Sequence, residues 1–190
     1  MDVINDPSWT GIFEDPDYNT NHFLTKIEAI NRNELVSDVN YTLTLGLVKG
    51  GETFRGKVVI DYTQKRIVNE SDKSKNLFID YKGKTIHKIT VNGKHIKNNT
   101  LTLWENHRIY IPYKNQKVGA NQVVIEFESC YVNDCQGCQY FKDDKDGSEY
   151  VYTELEPAQC HVVFPCFDQP DLKAAHKTCI VAEDDWEVIT

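Results

Sequence analysis

The chain has 190 residues, enough for one domain that buries a core without cross-links. Hydrophobic residues make up 40% and charged residues 26%, and 21 Lys+Arg against 29 Asp+Glu give a net charge of −8. That balance argues against a general nucleic-acid or anionic-membrane binder, and no run approaches the roughly 18 apolar residues of a membrane-spanning helix.

The charge is unevenly spread. Residues 1–38 carry 2 basic and 8 acidic side chains, residues 39–133 carry 15 and 8, and residues 134–190 carry 4 and 13. All six cysteines lie between Cys130 and Cys179. The start, Met1-Asp2-Val3-Ile4-Asn5-Asp6-Pro7, has neither a basic region nor an apolar run, so the expected location is cytoplasmic, with reduced thiols. Asn-x-Ser/Thr triplets at Asn40, Asn69 and Asn98 would matter only in a secreted precursor.

Residues 1–23 read as an acidic, irregular lead-in containing Pro7 and Pro16. Thr25-Lys26-Ile27-Glu28 has capping-box spacing, with Leu24 placed as a staple, and Ile27, Ile30 and Leu35 recur at helical intervals. A short helix over about 26–35 is expected. The period then changes to two: Val39, Tyr41, Leu43, Leu45 and Leu47 share one face of a strand. Val58, Ile60 and Tyr62 alternate likewise, as do Leu77, Ile79 and Tyr81. Ile89 and Val91 lead into an Asn92-Gly93 hairpin turn. Leu101 and Leu103, then Ile109, Ile111 and Tyr113, then Val123, Ile125 and Phe127 continue the series. The many lysines of this stretch fit the solvated face of those strands.

Residues 133–149 form a polar connection rich in Asp, Gly and Cys, and Tyr150–Leu155 reads as another strand. Residues 156–176 break around Pro157, Pro165 and Pro170, with at most a helical turn. A final strand pair is expected over Cys179–Val181 and Trp186–Ile189. The pattern predicts a mainly β domain over 24–190, a twisted antiparallel sandwich or saddle with one short N-terminal helix.

Tyr150-Val-Tyr-Thr-Glu154-Leu-Glu156-Pro157, followed by Phe164-Pro-Cys166-Phe167-Asp168-Gln169-Pro170-Asp171-Leu-Lys-Ala174, resembles the signature of the N-terminal domain of M1-family zinc aminopeptidases, aminopeptidase N type. Upstream, Leu24–Ala29, Leu35–Tyr41, Val91-Asn92-Gly93, Gly119-Ala-Asn121 and Gly137–Phe141 fall in the family's order. The resemblance implies a saddle-like β domain that packs on a catalytic domain and sends a Gln-x-Glu-Pro loop into the active site, where it grips the substrate's α-ammonium. Glu156 matches the family's Glu, and Glu154 stands where Gln is usual. A carboxylate there gives a charge-assisted bond to an ammonium, whereas two unpaired carboxylates repel and favour protonation of one. Gln159-Cys160-His161-Val162 replaces a stretch usually ending in Arg, and His176 replaces a common aromatic.

The 190 residues contain no His-Glu-x-x-His and no Gly-x-Met-Glu-Asn, so this chain alone is not expected to be a zinc peptidase or to hold a cofactor. Two functions remain open. One is a non-catalytic β domain serving as a binding or structural subunit, with Phe164, Phe167 and Trp186 at the face a protein partner would cover. The other is the substrate-anchoring part of a zinc aminopeptidase whose catalytic domain lies outside this chain, with Glu154 and Glu156 at the amine.

Other clusters read as structural. Cys130, Cys135 and Cys138 lack the two tight pairs of a zinc site. Asp143, Asp144, Asp146 and Glu149 miss the calcium-loop pattern and read as a solvated hairpin tip. His161 and His176 read as packing or surface residues, Cys166 as a packed thiol, and Trp104 and Trp186 as core aromatics.

Overall fold

Thr25 opens the first helix. Its side chain accepts a hydrogen bond from the Glu28 amide at 3.3 Å, and Glu28 Oε2 accepts one from the Thr25 amide at 2.8 Å, so the expected capping box forms. The computed structural model describes residues 23–67, 77–97 and 103–189. The expectations for residues 1–22, Asn69, Asn98 and Leu101 lie outside them. Helix α1 (Lys26–Leu35) has the expected bounds but not the expected buried face. Arg32 and Leu35 are buried, while Ile27 and Ile30 are exposed.

The strands β1 (Val36–Gly46), β2 (Thr53–Gln64), β3 (Phe78–Asp80), β4 (Thr85–Val91), β5 (Lys94–His95), β6 (Trp104–Glu105), β7 (Arg108–Tyr110), β8 (Gly119–Cys130), β9 (Gly137–Lys142) and β10 (Glu149–Glu154) follow. A single helical turn, α2 (Cys160–Val163), precedes the last strand, β11 (Ala174–Val181). The main sheet has the order β11-β1-β2-β8-β4-β5. A second sheet runs β3-β7-β6, and β9 and β10 form a separate hairpin.

The central pair shows how the sequence dictates the layers. Along β2, Phe54, Gly56, Val58, Ile60, Tyr62 and Gln64 are buried and every intervening residue is partly exposed, the alternation that the pleat requires. In β8, Val123, Ile125 and Phe127 face the same core. The second sheet closes that core: Tyr81 stacks on Trp104 at 5.2 Å between centroids and meets Phe127 edge-on at 5.5 Å. Gly56 is required at its position because a Cβ there would lie 2.3 Å from the Phe127 ring.

Three features depart from the expected strands. β1 begins at Val36 because a bulge between Ser37 and Asn40, with Asp38 at φ 54°, lets Val36 and Val39 both face inward. β9 emerges from the supposed connection 133–149 because Gly137, Cys138 and Gln139 are buried against the domain. Trp186–Ile189 is not a strand. The single terminal strand β11 pairs with β1 in parallel, Val39 opposite Ala174 and Gly46 opposite Val181, so the sheet is mixed at this edge. No described helix is long and apolar enough to cross a membrane.

Candidate functional site

The face of β10 that carries Glu154 also carries Tyr150 and Tyr152, by the two-residue period of a strand. All three side chains are exposed, and Phe141 stacks on Tyr150 with ring centroids 6.2 Å apart. The hairpin tip is a set of local turns: Asp143 accepts from the Lys145 amide and Asp146 from the Ser148 amide, each at 2.8 Å. Beyond Glu154 the backbone passes through Leu155, exposed Glu156 and a cis Glu156–Pro157 bond. It then turns into α2 through a Gln159 amide that donates to the Leu155 carbonyl at 2.9 Å. Glu154 thus ends β10 at one end of the hairpin, and Glu156 stands on the loop that leads to α2.

The segment that follows this loop, from α2 to Gln169, is anchored by a largely buried polar chain. Arg32 of α1 donates through Nη1 to Asp80 Oδ2 at 2.6 Å and through Nε to Gln169 Oε1 at 2.9 Å. The Asp168 amide donates to the same Asp80 oxygen at 3.0 Å, and Gln169 Nε2 returns to the Ala29 carbonyl at 2.9 Å. Asp168 in turn accepts from the His161 amide at 3.1 Å, and its Oδ2 lies 2.6 Å from His161 Nδ1. Backbone bonds between Asp80 and Cys166, 2.8 and 3.1 Å, and from the Lys82 amide to the His161 carbonyl, 2.9 Å, stitch the segment to β3. Burial pushes the Asp80 carboxyl above the usual carboxylate range, opposed by the Arg32 guanidinium and by His161.

The Phe-Pro-Cys-Phe-Asp-Gln-Pro run is therefore architectural. Phe164 and Phe167 are only 5% and 4% exposed, which corrects their reading as an accessible interface. Phe164 meets Tyr41 edge-on at 6.0 Å, and Phe167 meets Tyr62 edge-on at 5.6 Å with the Arg32 guanidinium 5.6 Å from its centroid. Both are core residues. Trp186 is half-buried beyond β11, with Lys49 Nζ 5.7 Å from its ring, so it is not grouped with them in the core. Trp104 is buried as expected, and His176 stacks on Tyr41 at 4.8 Å.

Cys130 is half-buried, Cys135 exposed and Cys138 buried. Burial pushes the Cys138 thiol up to about 12 and Cys166 well above the ordinary thiol range. Among the described residues no three His, Cys, Asp or Glu side chains converge as metal ligands. Sequence reasoning missed Arg32, Asp80, Gln169 and the His161–Asp168 pair. The available signal was one charge inside the apolar run Phe78-Ile79-Asp80-Tyr81 and another one turn before Leu35.

Residues 37–189 match the Peptidase M1 N-terminal domain. Aminopeptidase N of Streptomyces lividans is 30% identical over 169 residues, covering 88% of this chain and 19% of that protein. The probable M1 family aminopeptidase 2 of Encephalitozoon cuniculi is 36% identical over 83 residues, covering 43% of this chain and 9% of that protein. Native leukotriene A4 hydrolase from Saccharomyces cerevisiae shares the fold, with a TM-score of 0.60 at 20% identity over 79% of this chain and 24% of that one. The chain spans about a fifth of the length of the S. lividans relative. On the matched signature and the mainly β architecture together, this chain belongs to the M1 peptidase family, as an N-terminal domain of the aminopeptidase N type.

Proposed function

We propose that this chain is the substrate-anchoring N-terminal part of an M1 zinc aminopeptidase, with Glu154 and Glu156 receiving the α-ammonium of a peptide. The observation that carries the reading is the placement of two exposed carboxylates, Glu154 at the end of β10 and Glu156 on the loop to α2, followed by a segment held through the Arg32–Asp80–Asp168–His161 chain. An ammonium taken into a partly dehydrated cleft needs acceptors, and a carboxylate offers the stronger kind of bond. The zinc of such a peptidase has no ligand set among the described residues and would be held by sequence outside this chain. The six free thiols suit a reducing compartment, which supports work in the cytoplasm.

The test is kinetic, in the intact enzyme that includes this chain. Glu156→Ala is expected to raise KM for free-amine peptides by about 10- to 100-fold, the loss of one charged hydrogen bond. An unchanged KM removes the anchoring role.

A second reading, a non-catalytic domain that binds a protein partner, draws support from the exposed Phe141, Tyr150 and Tyr152 on the β9–β10 hairpin rather than from Phe164 and Phe167. Native mass spectrometry of the endogenous protein separates the two. A stoichiometric complex with a non-peptidase favours the second reading, and a longer peptidase chain or a zinc-carrying partner favours the first.

A further inference from the structure

Two of the cysteines meet. Cys160 opens α2, and Cys166 follows it in the chain just beyond Pro165. Their thiols hydrogen-bond to each other, and Cys160 packs against the apolar core that contains Cys166. Tyr41 of β1 lies beside both, its hydroxyl accepting from the Phe167 amide at 2.9 Å.

The surrounding frame fixes this meeting. Cys166 exchanges both backbone hydrogen bonds with Asp80 of β3, at 2.8 and 3.1 Å. On the α2 side, the Lys82 amide donates to the His161 carbonyl at 2.9 Å, and Ser129 Oγ of β8 donates to the Val163 carbonyl at 3.0 Å. The Phe164 amide closes the turn on the Cys160 carbonyl at 3.1 Å. Both backbones are therefore held on strands of the domain, and the thiol contact does not depend on the fluctuation of a free loop.

The two thiols differ in access. Cys160 is half-buried and Cys166 buried. Burial, the bond to Cys160 and the Asp168 and Asp80 carboxylates together hold Cys166 as the neutral thiol, the slow form toward a reagent from solvent. An oxidant thus meets Cys160 first. Cys166 is reached through it, within the molecule, where proximity replaces collision.

We propose that Cys160 and Cys166 are an oxidisable dithiol pair that closes to an intramolecular disulfide when a small-molecule disulfide, RSSR, is present. The Cys160 sulfur attacks RSSR, the bond between its sulfurs breaks, and the first RSH leaves with the Cys160 proton. The Cys166 sulfur then attacks the Cys160 sulfur of the mixed disulfide, and the second RSH leaves with the Cys166 proton. The protein gives up two electrons and two protons, and RSSR is reduced to two RSH. Closed, the bond ties the start of α2 covalently to the segment fixed on β3. The inference goes beyond the anchoring reading and stands without it.

The test incubates the protein that carries this chain with oxidised glutathione, quenches with acid, and blocks the remaining thiols with N-ethylmaleimide in denaturant. No Lys or Arg separates the two cysteines, so a tryptic digest keeps both on one peptide, read by mass spectrometry without reduction. Wild type is expected to lose maleimide at both cysteines in parallel and to yield that peptide two hydrogens lighter, and excess reduced glutathione is expected to restore both labels. Cys160→Ser is expected to leave Cys166 fully labelled, because its route to the oxidant is gone. Cys166→Ala is expected to stop at the mixed disulfide, with glutathione retained on Cys160. The wild-type readout decides the matter even where a core variant folds poorly. A wild-type peptide labelled at both cysteines, or with glutathione on Cys160 and label on Cys166, overturns the proposal. So does a Cys160 bond to any other cysteine, or oxidation of Cys166 in the Cys160→Ser variant.

Discussion

Arg32 Nη1 and Asp80 Oδ2 meet at 2.6 Å although 48 residues separate them, and the guanidinium is 2% exposed. The guanidinium also lies over two aromatic rings, 4.8 Å from the Phe78 centroid and 5.6 Å from that of Phe167. A charge pair so buried gives up hydration on both sides, and its removal has an asymmetric effect. Arg32→Leu leaves Asp80 buried without its cation and is expected to cost about 3–5 kcal/mol in urea denaturation. The double replacement Arg32→Met with Asp80→Leu is expected to recover most of that loss. A single variant no weaker than an ordinary surface change, about 0.5 kcal/mol, would contradict the account.

Gly56 offers a prediction about the core rather than about charge. Its absent side chain leaves room for the flat Phe127 ring, and Gly56→Ala forces backbone or ring to move. The expected loss is about 1–3 kcal/mol. Phe127→Leu in the Gly56→Ala background should then cost less than it does alone, and strict additivity of the two changes would argue against direct contact.

The start of α1 predicts a pH dependence. Arg108 grips Glu28 with two nitrogens, at 2.6 and 3.0 Å. Burial pushes the Glu28 carboxyl up, but the Thr25 amide and hydroxyl and the Arg108 guanidinium outweigh it and hold the group below its usual range. A carboxyl lowered in the folded state stabilises the fold above its unfolded pKa, and that contribution is lost as pH falls through the folded value. Stability measured by urea denaturation should therefore decline on the acid side of the ordinary glutamate range, and Glu28→Gln should flatten that part of the profile. The variant should be destabilised at neutral pH and approach wild type at the acid end.

The thiols should separate by position. Cys135 and Cys179 are exposed and should react with a maleimide in the native state. Cys138 and Cys166 are buried and shifted toward the neutral thiol, so their labelling should await denaturant. Mass spectrometry of peptides labelled at increasing urea checks the order, and early modification of Cys166 would count against its place in the core.

What the sequence disclosed, and what it withheld, follows from the range of the forces involved. The Thr25–Glu28 box and the alternation of β2 are local, and both were legible. The inward face of α1 was not. Ile27 and Ile30 gave the helical period, yet the buried side is the one bearing Arg32, whose burial depends on Asp80 and Gln169 far along the chain. β9 was hidden because a buried Gln139 and a buried Cys138 look like loop composition when read singly. The tail was misread for the opposite reason: Trp186 and Ile189 have strand composition, but Ala174–Val181 takes the parallel place beside β1, and no hairpin turn announces such a partner. Of the candidate site, Glu154 and Glu156 were visible through the family signature, whereas the Arg32–Asp80–Asp168–His161 chain was not. Phe164 and Phe167 were misread as interface residues because a place near an expected domain junction says nothing about burial.

The parallel pairing of Val39 with Ala174 bears on how the molecule is made. Contacts between residues so distant in the chain close late, and folds that depend on them are slow. During synthesis β1 emerges early and finds β2 within a few residues, but its other edge stays open until Ala174–Val181 has left the ribosome. For that interval the nascent chain presents an unpaired strand edge, the kind of surface that recruits the wrong partner. The rate at which the last strand arrives therefore governs how long the newborn domain is vulnerable to aggregation.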